Sequence, residues 1–292
     1  PSSVSQSATC TDTQLMTEGG CPSYEWSHGT HCAGLIGAKL NNGVGVASIG
    51  GGVTIVAARA ADDAGDMWTT AITRGANFCV AQGVKVLSMS LGGTTSSSTE
   101  QTQFTTYYNN GITVVAAAGN EGDMGNAVNY PAGYSNVISV ASVDSDKKLS
   151  SFSQYGTWVD IAAPGGNHVT SSMNILSTTY CTNQFLRVSG LTTITGNYDG
   201  MQGTSMATPI TAGLCGLLLS KNPSATPAQI ENCLKTTSQT LGSGSNPIMT
   251  GSGVINAQAA LNCIGGGSGI DNRDLDHSVV LSPNPASDIF FL

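Results

Sequence analysis

Short apolar runs alternate with longer segments of mixed pattern along most of the chain. Val53-Thr54-Ile55-Val56-Ala57-Ala58 predicts a buried strand, 68–82 a helix, and Lys85-Val86-Leu87-Ser88-Met89-Ser90 a second strand. A polar helix is expected over 99–109, and further strands over 112–117, 137–143 and 159–162. Near-continuous apolar strands separated by helices indicate a parallel sheet covered on both faces, joined by right-handed crossovers. The expected fold class is α/β, a three-layer α/β/α arrangement around a mostly parallel sheet.

The strongest helical pattern runs over 205–221, with Pro209 placed in its first turn, where a missing N–H is tolerated. Gly213 and Gly216 lie inside it and predict close backbone approach to a neighbour. A shorter helix is expected over 228–235, with Thr226 as its N-cap. The composition changes at Gly265-Gly266-Gly267-Ser268-Gly269, a flexible linker. Residues 1–263 are therefore expected to form one domain, and 264–292 a linker and tail.

Composition narrows the function classes. Only 10% of the 292 residues are charged, and the net charge is −8. That balance and the absence of any Lys/Arg run argue against nucleic acid as a partner. No apolar stretch approaches the roughly 18 residues of a membrane span. Pro1-Ser2-Ser3-Val4-Ser5 has neither the basic nor the apolar region of a signal peptide. Eight cysteines fit an oxidising compartment. Cys10–Cys21 and Cys233–Cys263 are the preferred pairs, each clipping a loop-rich end, whereas Cys32 and Cys215 lie in apolar, small-residue runs and read as buried thiols. No CxxC spacing points to zinc.

Three segments carry chemistry. Ser27-His28-Gly29-Thr30-His31-Cys32-Ala33-Gly34 sets two histidines near the start of a small-residue helix. No acidic residue follows at metal-ligand spacing. The better reading gives one histidine the part of a general base, on a helix able to pack tightly against another. Gly203-Thr204-Ser205-Met206-Ala207-Thr208-Pro209 puts a serine where a loop turns into a helix, beside free N–H groups that favour a developing oxyanion. Ala116-Ala117-Ala118-Gly119-Asn120-Glu121-Gly122 places a side-chain amide at the carboxyl end of a strand, where parallel sheets bind ligands.

In this order, His-Gly-Thr-His, Ala-Gly-Asn and Gly-Thr-Ser-Met-Ala-Thr-Pro resemble the subtilase family of serine peptidases, over about 27–261. The resemblance implies a subtilisin-like fold and a serine endopeptidase. In it His28 is the base, Ser205 the nucleophile, and Asn120 with the Ser205 N–H the oxyanion hole. It further implies that Ser90, Leu91 and Gly92 face Ala117, Ala118 and Gly119 across the pocket for the substrate's acyl-side residue, with Asn129 near its base. Gly/Ala walls suggest an open pocket for medium or large apolar side chains. Leu40-Asn41-Asn42-Gly43-Val44-Gly45-Val46 is similar to the family's calcium loop, in which Asn42 and the carbonyls of Leu40, Val44 and Val46 would face a structural ion. No organic cofactor is implied. The partners expected are protein or peptide substrates and a propeptide or inhibitor, for a secreted, extracellular or cell-surface monomer.

Two departures bear on activity. The family's triad aspartate lies upstream of the histidine, at the end of an apolar strand. Asp12 mimics the local motif only 16 residues before His28 and follows no such strand. The expectation is that the first strand or strands and their aspartate lie outside this chain, leaving low activity. An imidazole without its orienting carboxylate loses about four orders of magnitude in rate in serine proteases. The alternative is a catalytically inactive, subtilase-like binding module. An α/β-hydrolase esterase is rejected, because Ala207 stands where that fold needs glycine and only His277 follows the serine in chain order. At the other end, Pro283-Asn284-Pro285-Ala286-Ser287-Asp288 resembles the start of a type IX secretion sorting domain. The loop 182–196 has no assigned role.

Overall fold

The computed structural model describes residues 27–62, 66–167, 174–179, 198–242 and 250–265. Asp12, Cys10, Cys21, Cys181, His277, the loop 182–196 and the tail from 266 lie outside the described residues. Among those described, the elements are α1 (His28–Gly37), α2 (Thr69–Ala81), β1 (Val86–Met89), α3 (Ser98–Asn109), β2 (Thr113–Ala117), β3 (Ile138–Val143), β4 (Ile161–Pro164), β5 (Ile175–Thr178), β6 (Tyr198–Met201), α4 (Thr204–Lys221), α5 (Pro227–Thr236) and α6 (Ala257–Cys263).

Strands β1 to β4 form one parallel sheet in sequence order, with Val86 opposite Thr113, Val115 opposite Ile138 and Val140 opposite Ile161. Consecutive strand residues point to opposite faces. Val115, Val140 and Ile161 meet Leu214 and Leu218 of α4, backed by Ile230 and Leu234 of α5 and Ala260 of α6. Val114, Ala116, Leu87 and Met89 meet Ala76 and Cys79 of α2 and Phe104 and Tyr107 of α3. The result is the expected three layers, with a core on each face. Strands β5 and β6 form a separate antiparallel ribbon, Ile175 opposite Met201, which the hydrophobic pattern does not reveal.

Helix positions follow the sequence closely. Thr226 caps α5 through a reciprocal bond pair with Gln229, in which each side-chain oxygen accepts from the other residue's otherwise orphan backbone N–H. The glycines of α4 are there for contact: a Cβ on Gly213 would lie 2.7 Å from Ile49 Cγ2 and 3.1 Å from the Ile36 carbonyl, and one on Gly216 would lie 2.8 Å from Val53 Cγ1. Cys233 and Cys263 form a disulfide joining α5 to the end of α6, and Cys32, Cys79 and Cys215 are buried thiols.

Two expectations are corrected. Residues 53–58 form no strand, and Ile55 is 39% exposed. An apolar run becomes a strand only against a hydrogen-bonding neighbour, and 53–57 is separated from β1 by a cleft of about 400 Å³. Gly29, Cys32, Ala33 and Ile36 of α1 and Ala212, Gly216 and Leu219 of α4 also line that cleft. Pro209 is not in the first turn of its helix. Helix α4 begins at Thr204, so the proline falls in the second turn.

Candidate active site

Ser205 is the second residue of α4, and the chain enters that helix through Gly203 at φ +147°, a conformation that favours glycine. Gly203 N–H donates to the Gly165 carbonyl at 2.8 Å, tying the entry to the residue after β4. In the first helical turn the Ser205 N–H has no intrahelical acceptor and is free for an incoming anion. Ser205 itself is partly exposed, and its hydroxyl lies 3.4 Å from the Ser90 carbonyl.

The proline in the second turn explains how the serine's backbone is braced. Residue 209 would ordinarily donate its N–H to the carbonyl of residue 205, four positions earlier. Proline has no N–H, so the Ser205 carbonyl is orphaned by its own helix. Two other elements supply donors: Ser90 Oγ, just past β1, at 2.8 Å, and Cys32 Sγ on α1 at 3.4 Å. Sheet and both helices thus converge on one carbonyl. The Ser90 side chain is committed to that bond.

Asn120 follows β2 and is exposed, yet its carboxamide is fixed. Its Oδ1 accepts from Thr204 N–H at 2.9 Å and from Thr204 Oγ at 3.1 Å. A backbone N–H can only donate, so the atom facing it is the oxygen, and Nδ2 is left as a donor on the Gly203–Ser205 side. The Thr204 hydroxyl also accepts from Gly119 N–H at 3.1 Å, locking the turn that carries Asn120. Thr204 is the residue sequence reasoning passed over. Its only signal there was its place between Gly203 and the serine.

His28 opens α1. One turn on, Cys32 touches the Ser205 carbonyl, and residues four apart share a helix face, so His28 stands on the face turned toward the nucleophile's helix. Burial lowers the His28 pKa below its ordinary 6.5 and favours the neutral imidazole. His31 has a different setting. Its Nε2 lies 2.9 Å from the Ile175 carbonyl and 3.0 Å from the Asp199 carbonyl, both acceptors, so Nε2 carries the proton. Ser177 and Thr178 hydroxyls bond the carbonyls of His31 and Thr30 at 2.7 and 2.8 Å. The β5–β6 ribbon thereby fastens α1 in place.

The segments expected to wall the acyl-side pocket extend β1 and β2. Ser90 and Leu91 are buried and Gly92 is exposed, while Ala117, Ala118 and Gly119 follow one another out of β2. Asn129 is buried and bonds the Ala117 carbonyl at 3.0 Å. The turn holding Leu40, Asn42, Val44 and Val46 lies apart, with Leu40 and Val44 exposed. Calcium takes about 6–8 oxygen ligands, usually with carboxylates among them. This turn contains no carboxylate, and Asn42 Oδ1 already accepts the Val44 N–H at 3.0 Å. The turn offers four of the oxygens a calcium ion needs, Asn42 Oδ1 and the carbonyls of Leu40, Val44 and Val46, so the rest would have to come from other segments. No group of three or more His, Cys, Asp or Glu residues gathers anywhere among the described residues.

A parallel three-layer sheet, with Ser205 opening one helix and His28 another, defines the subtilisin-like class of α/β proteins. The profile of the Subtilase family matches residues 16–253, and the chain belongs to that family. It is 44% identical over 207 residues to thermitase of Thermoactinomyces vulgaris, covering 70% of this chain and 66% of thermitase. It is 39% identical over 236 residues to subtilisin NAT of Bacillus subtilis subsp. natto, covering 80% of this chain and 55% of that protein. The chain thus spans between about half and two thirds of these relatives. Among solved structures, a protease of Pseudoalteromonas arctica PAMC 21717 superimposes with a TM-score of 0.69 at 34% identity, over 82% of this chain and 71% of that one. Fervidolysin of Fervidobacterium pennivorans gives 0.68 at 30% identity, over 83% of this chain and 37% of its own.

Proposed function

We propose that this chain carries the catalytic centre of a serine endopeptidase. The observation that carries the reading is the Asn120 carboxamide, held through Oδ1 by Thr204, with Nδ2 and the Ser205 N–H on the same side of Gly203. Ser205 Oγ attacks the carbonyl carbon of the scissile peptide while His28 takes its proton. The oxyanion is held by Asn120 Nδ2 and the Ser205 N–H. The C–N bond then breaks, His28 returns the proton to the leaving amine, and water, deprotonated by His28, hydrolyses the acyl-enzyme. Burial suits His28 to this work, since only the neutral ring can accept a proton.

A carboxylate must orient the other nitrogen of His28. The cleft between 53–57 and β1, lined at one side by Gly29, has room for one more extended strand, and the carboxylate is proposed to come with it. Residues 1–263 are proposed as the catalytic domain, and 264–292 as a linker leading to a type IX sorting signal. The low charge and the Cys233–Cys263 disulfide support secretion. No helix among the described residues is long and apolar enough to cross a membrane. The substrates proposed are proteins and peptides, met by a monomer that a propeptide or inhibitor can occupy.

The test is modification of the 292-residue chain by a fluorophosphonate, followed for hours by intact-mass spectrometry. One adduct on Ser205, absent from Ser205→Ala and slowed in His28→Ala, is expected. Because the orienting carboxylate is proposed to come with a further strand, a folded form carrying that strand that also takes no adduct would sink the peptidase reading.

A further inference from the structure

Two triplets of the chain are identical, Asn41-Asn42-Gly43 and Asn109-Asn110-Gly111, and each is followed by a β-branched residue, Val44 or Ile112. No other asparagine in the sequence precedes a glycine. An asparagine in that position is chemically vulnerable. The glycine nitrogen can attack the side-chain amide carbon, and glycine has no side chain to crowd the approach. Local sequence gives the two pairs equal susceptibility, so a difference between them is made by the fold.

The fold treats them oppositely. Asn110 caps the C-terminus of α3, and Gly111 follows at φ +79°. The Asn110 N–H donates to the carbonyls of Thr106 and Tyr107, both at 3.1 Å. Gly111 N–H donates to the Tyr108 carbonyl at 2.9 Å, and Ile112 N–H to that of Tyr107 at 3.0 Å. The nitrogen that would attack is a bonded donor there, in backbone held on both sides. Asn42 stands in a turn whose residues 39–45 are all exposed. The turn is tied only near its base, where Ser48 N–H and Oγ donate to the Ala38 carbonyl at 3.4 and 2.9 Å. Gly43 N–H makes no hydrogen bond among the described residues, and a Cβ on Gly43 would meet nothing within 4 Å.

The Asn42 side chain is turned toward that free nitrogen. Its Oδ1 accepts the Val44 N–H at 3.0 Å, and the ring closed by this bond contains both Asn42 Cγ and the Gly43 nitrogen. We propose that Asn42 is a site of spontaneous deamidation, while the fold spares Asn110. Once a base has removed its proton, the Gly43 nitrogen bonds to Cγ. The Cγ–Nδ2 bond breaks, and the amide nitrogen takes up a proton and leaves as ammonia. Water then opens the cyclic imide at either carbonyl, giving aspartate or isoaspartate. Both products add a negative charge, and isoaspartate adds a methylene to the main chain. The longer backbone matters because the turn supports the ribbon. A Cβ on Gly45 would collide with the Tyr198 hydroxyl, so β6 packs directly on the turn. The ribbon in turn holds α1 through the Asp199 carbonyl and the Ser177 and Thr178 hydroxyls. Isoaspartate at 42 therefore loosens the anchorage of α1.

The test holds the 292-residue chain, carrying Ser205→Ala to remove any self-digestion, in mildly alkaline buffer, folded or in urea. Peptide mass spectrometry follows both asparagines over time, and methyl transfer by an isoaspartyl methyltransferase counts the lengthened product. In the folded chain Asn42 is expected to gain its single mass unit at least about tenfold faster than Asn110, the factor carried by one net hydrogen bond. In urea the two should react at similar rates, and Asn42→Ser should abolish the gain seen at 42. The modified fraction, separated by anion exchange, should unfold at a lower urea concentration than the unmodified one. An Asn42 that reacts no faster than Asn110 in the folded chain overturns the site. A modified fraction with an unchanged urea midpoint overturns its coupling to the ribbon.

Discussion

The two edges of the parallel sheet are unlike. Outside β4, residues 253–255 run alongside as a cover: Ala162 N–H donates to the Gly253 carbonyl at 2.8 Å, and Ile255 N–H to the Ala162 carbonyl at 2.9 Å. Val254 in turn exchanges bonds with Gln239 at 2.7 and 2.9 Å, and the Cys233–Cys263 disulfide fastens the helices nearby. Among the described residues, what lies outside β1 is the cleft, and beyond it an apolar segment without a ladder. An open edge is a set of unmet backbone donors and acceptors, and proteins ordinarily cover or blunt it. Nucleophile and oxyanion donor are thus built on a finished framework, while the histidine's helix faces the unfinished side.

The largest contrast should appear in stability. Leu214 of α4 is fully buried against the sheet, so Leu214→Ala is expected to cost about 2–5 kcal/mol in urea unfolding. Ile55, partly exposed beside the cleft, should cost under about 1 kcal/mol when changed to alanine. Similar losses at both positions would mean that the cleft is closed in solution and that the two edges are equally packed.

Ser90 tests where the two sides meet. Removing its hydroxyl leaves the Ser205 carbonyl with only the weak Cys32 thiol as donor. Ser90→Ala is expected to cost about 1–3 kcal/mol, the penalty of an under-satisfied buried acceptor. It should slow Ser205 modification severalfold while leaving reagent affinity unchanged, because the loss is of nucleophile positioning. A change in affinity with no change in rate would return Ser90 to the substrate groove.

What could be read in the chain beforehand follows the same division. The strands and helices of the finished side were legible because each satisfies its own period: Val114 and Val115 face opposite layers, and α4 shows its glycines where Ile49 and Val53 press against it. Ser205, Asn120 and His28 were legible because local sequence sets the turn or helix end that carries them. Residues 53–58 misled, since an apolar run records a propensity for pairing but not the presence of a partner. Pro209 was placed one turn early: even counted from Ser205 it is the fifth helical residue, past the 3.6 of a first turn, and the helix starts one residue sooner, at Thr204. Thr204 and the β5–β6 ribbon escaped, as each acts through a contact between distant segments, and Tyr198-Asp199-Gly200-Met201 has no alternation to announce a strand.

The joint between the two sides, α1, should carry the most diagnostic effect, one of pH. His31 is fully buried, and desolvation, only partly offset by the Asp199 and Ile175 carbonyls, lowers its pKa from 6.5 to about 4. Between those values the unfolded chain binds a proton that the folded protein refuses. Stability therefore rises with pH across that window and is lost as pH falls through it. The urea midpoint is expected to drop steadily from pH 7 to pH 4. His31→Gln keeps a donor for the two carbonyls and should flatten that slope, though it leaves the protein somewhat less stable at pH 7. His28 shifts in the same direction from burial alone, so the acid limb of Ser205 modification should lie below the ordinary imidazole value, separable from unfolding by circular dichroism on the same samples. A slope that survives His31→Gln would move the titrating group off the α1–ribbon contact, and with it the claim that this contact holds the histidine helix against the finished half of the sheet.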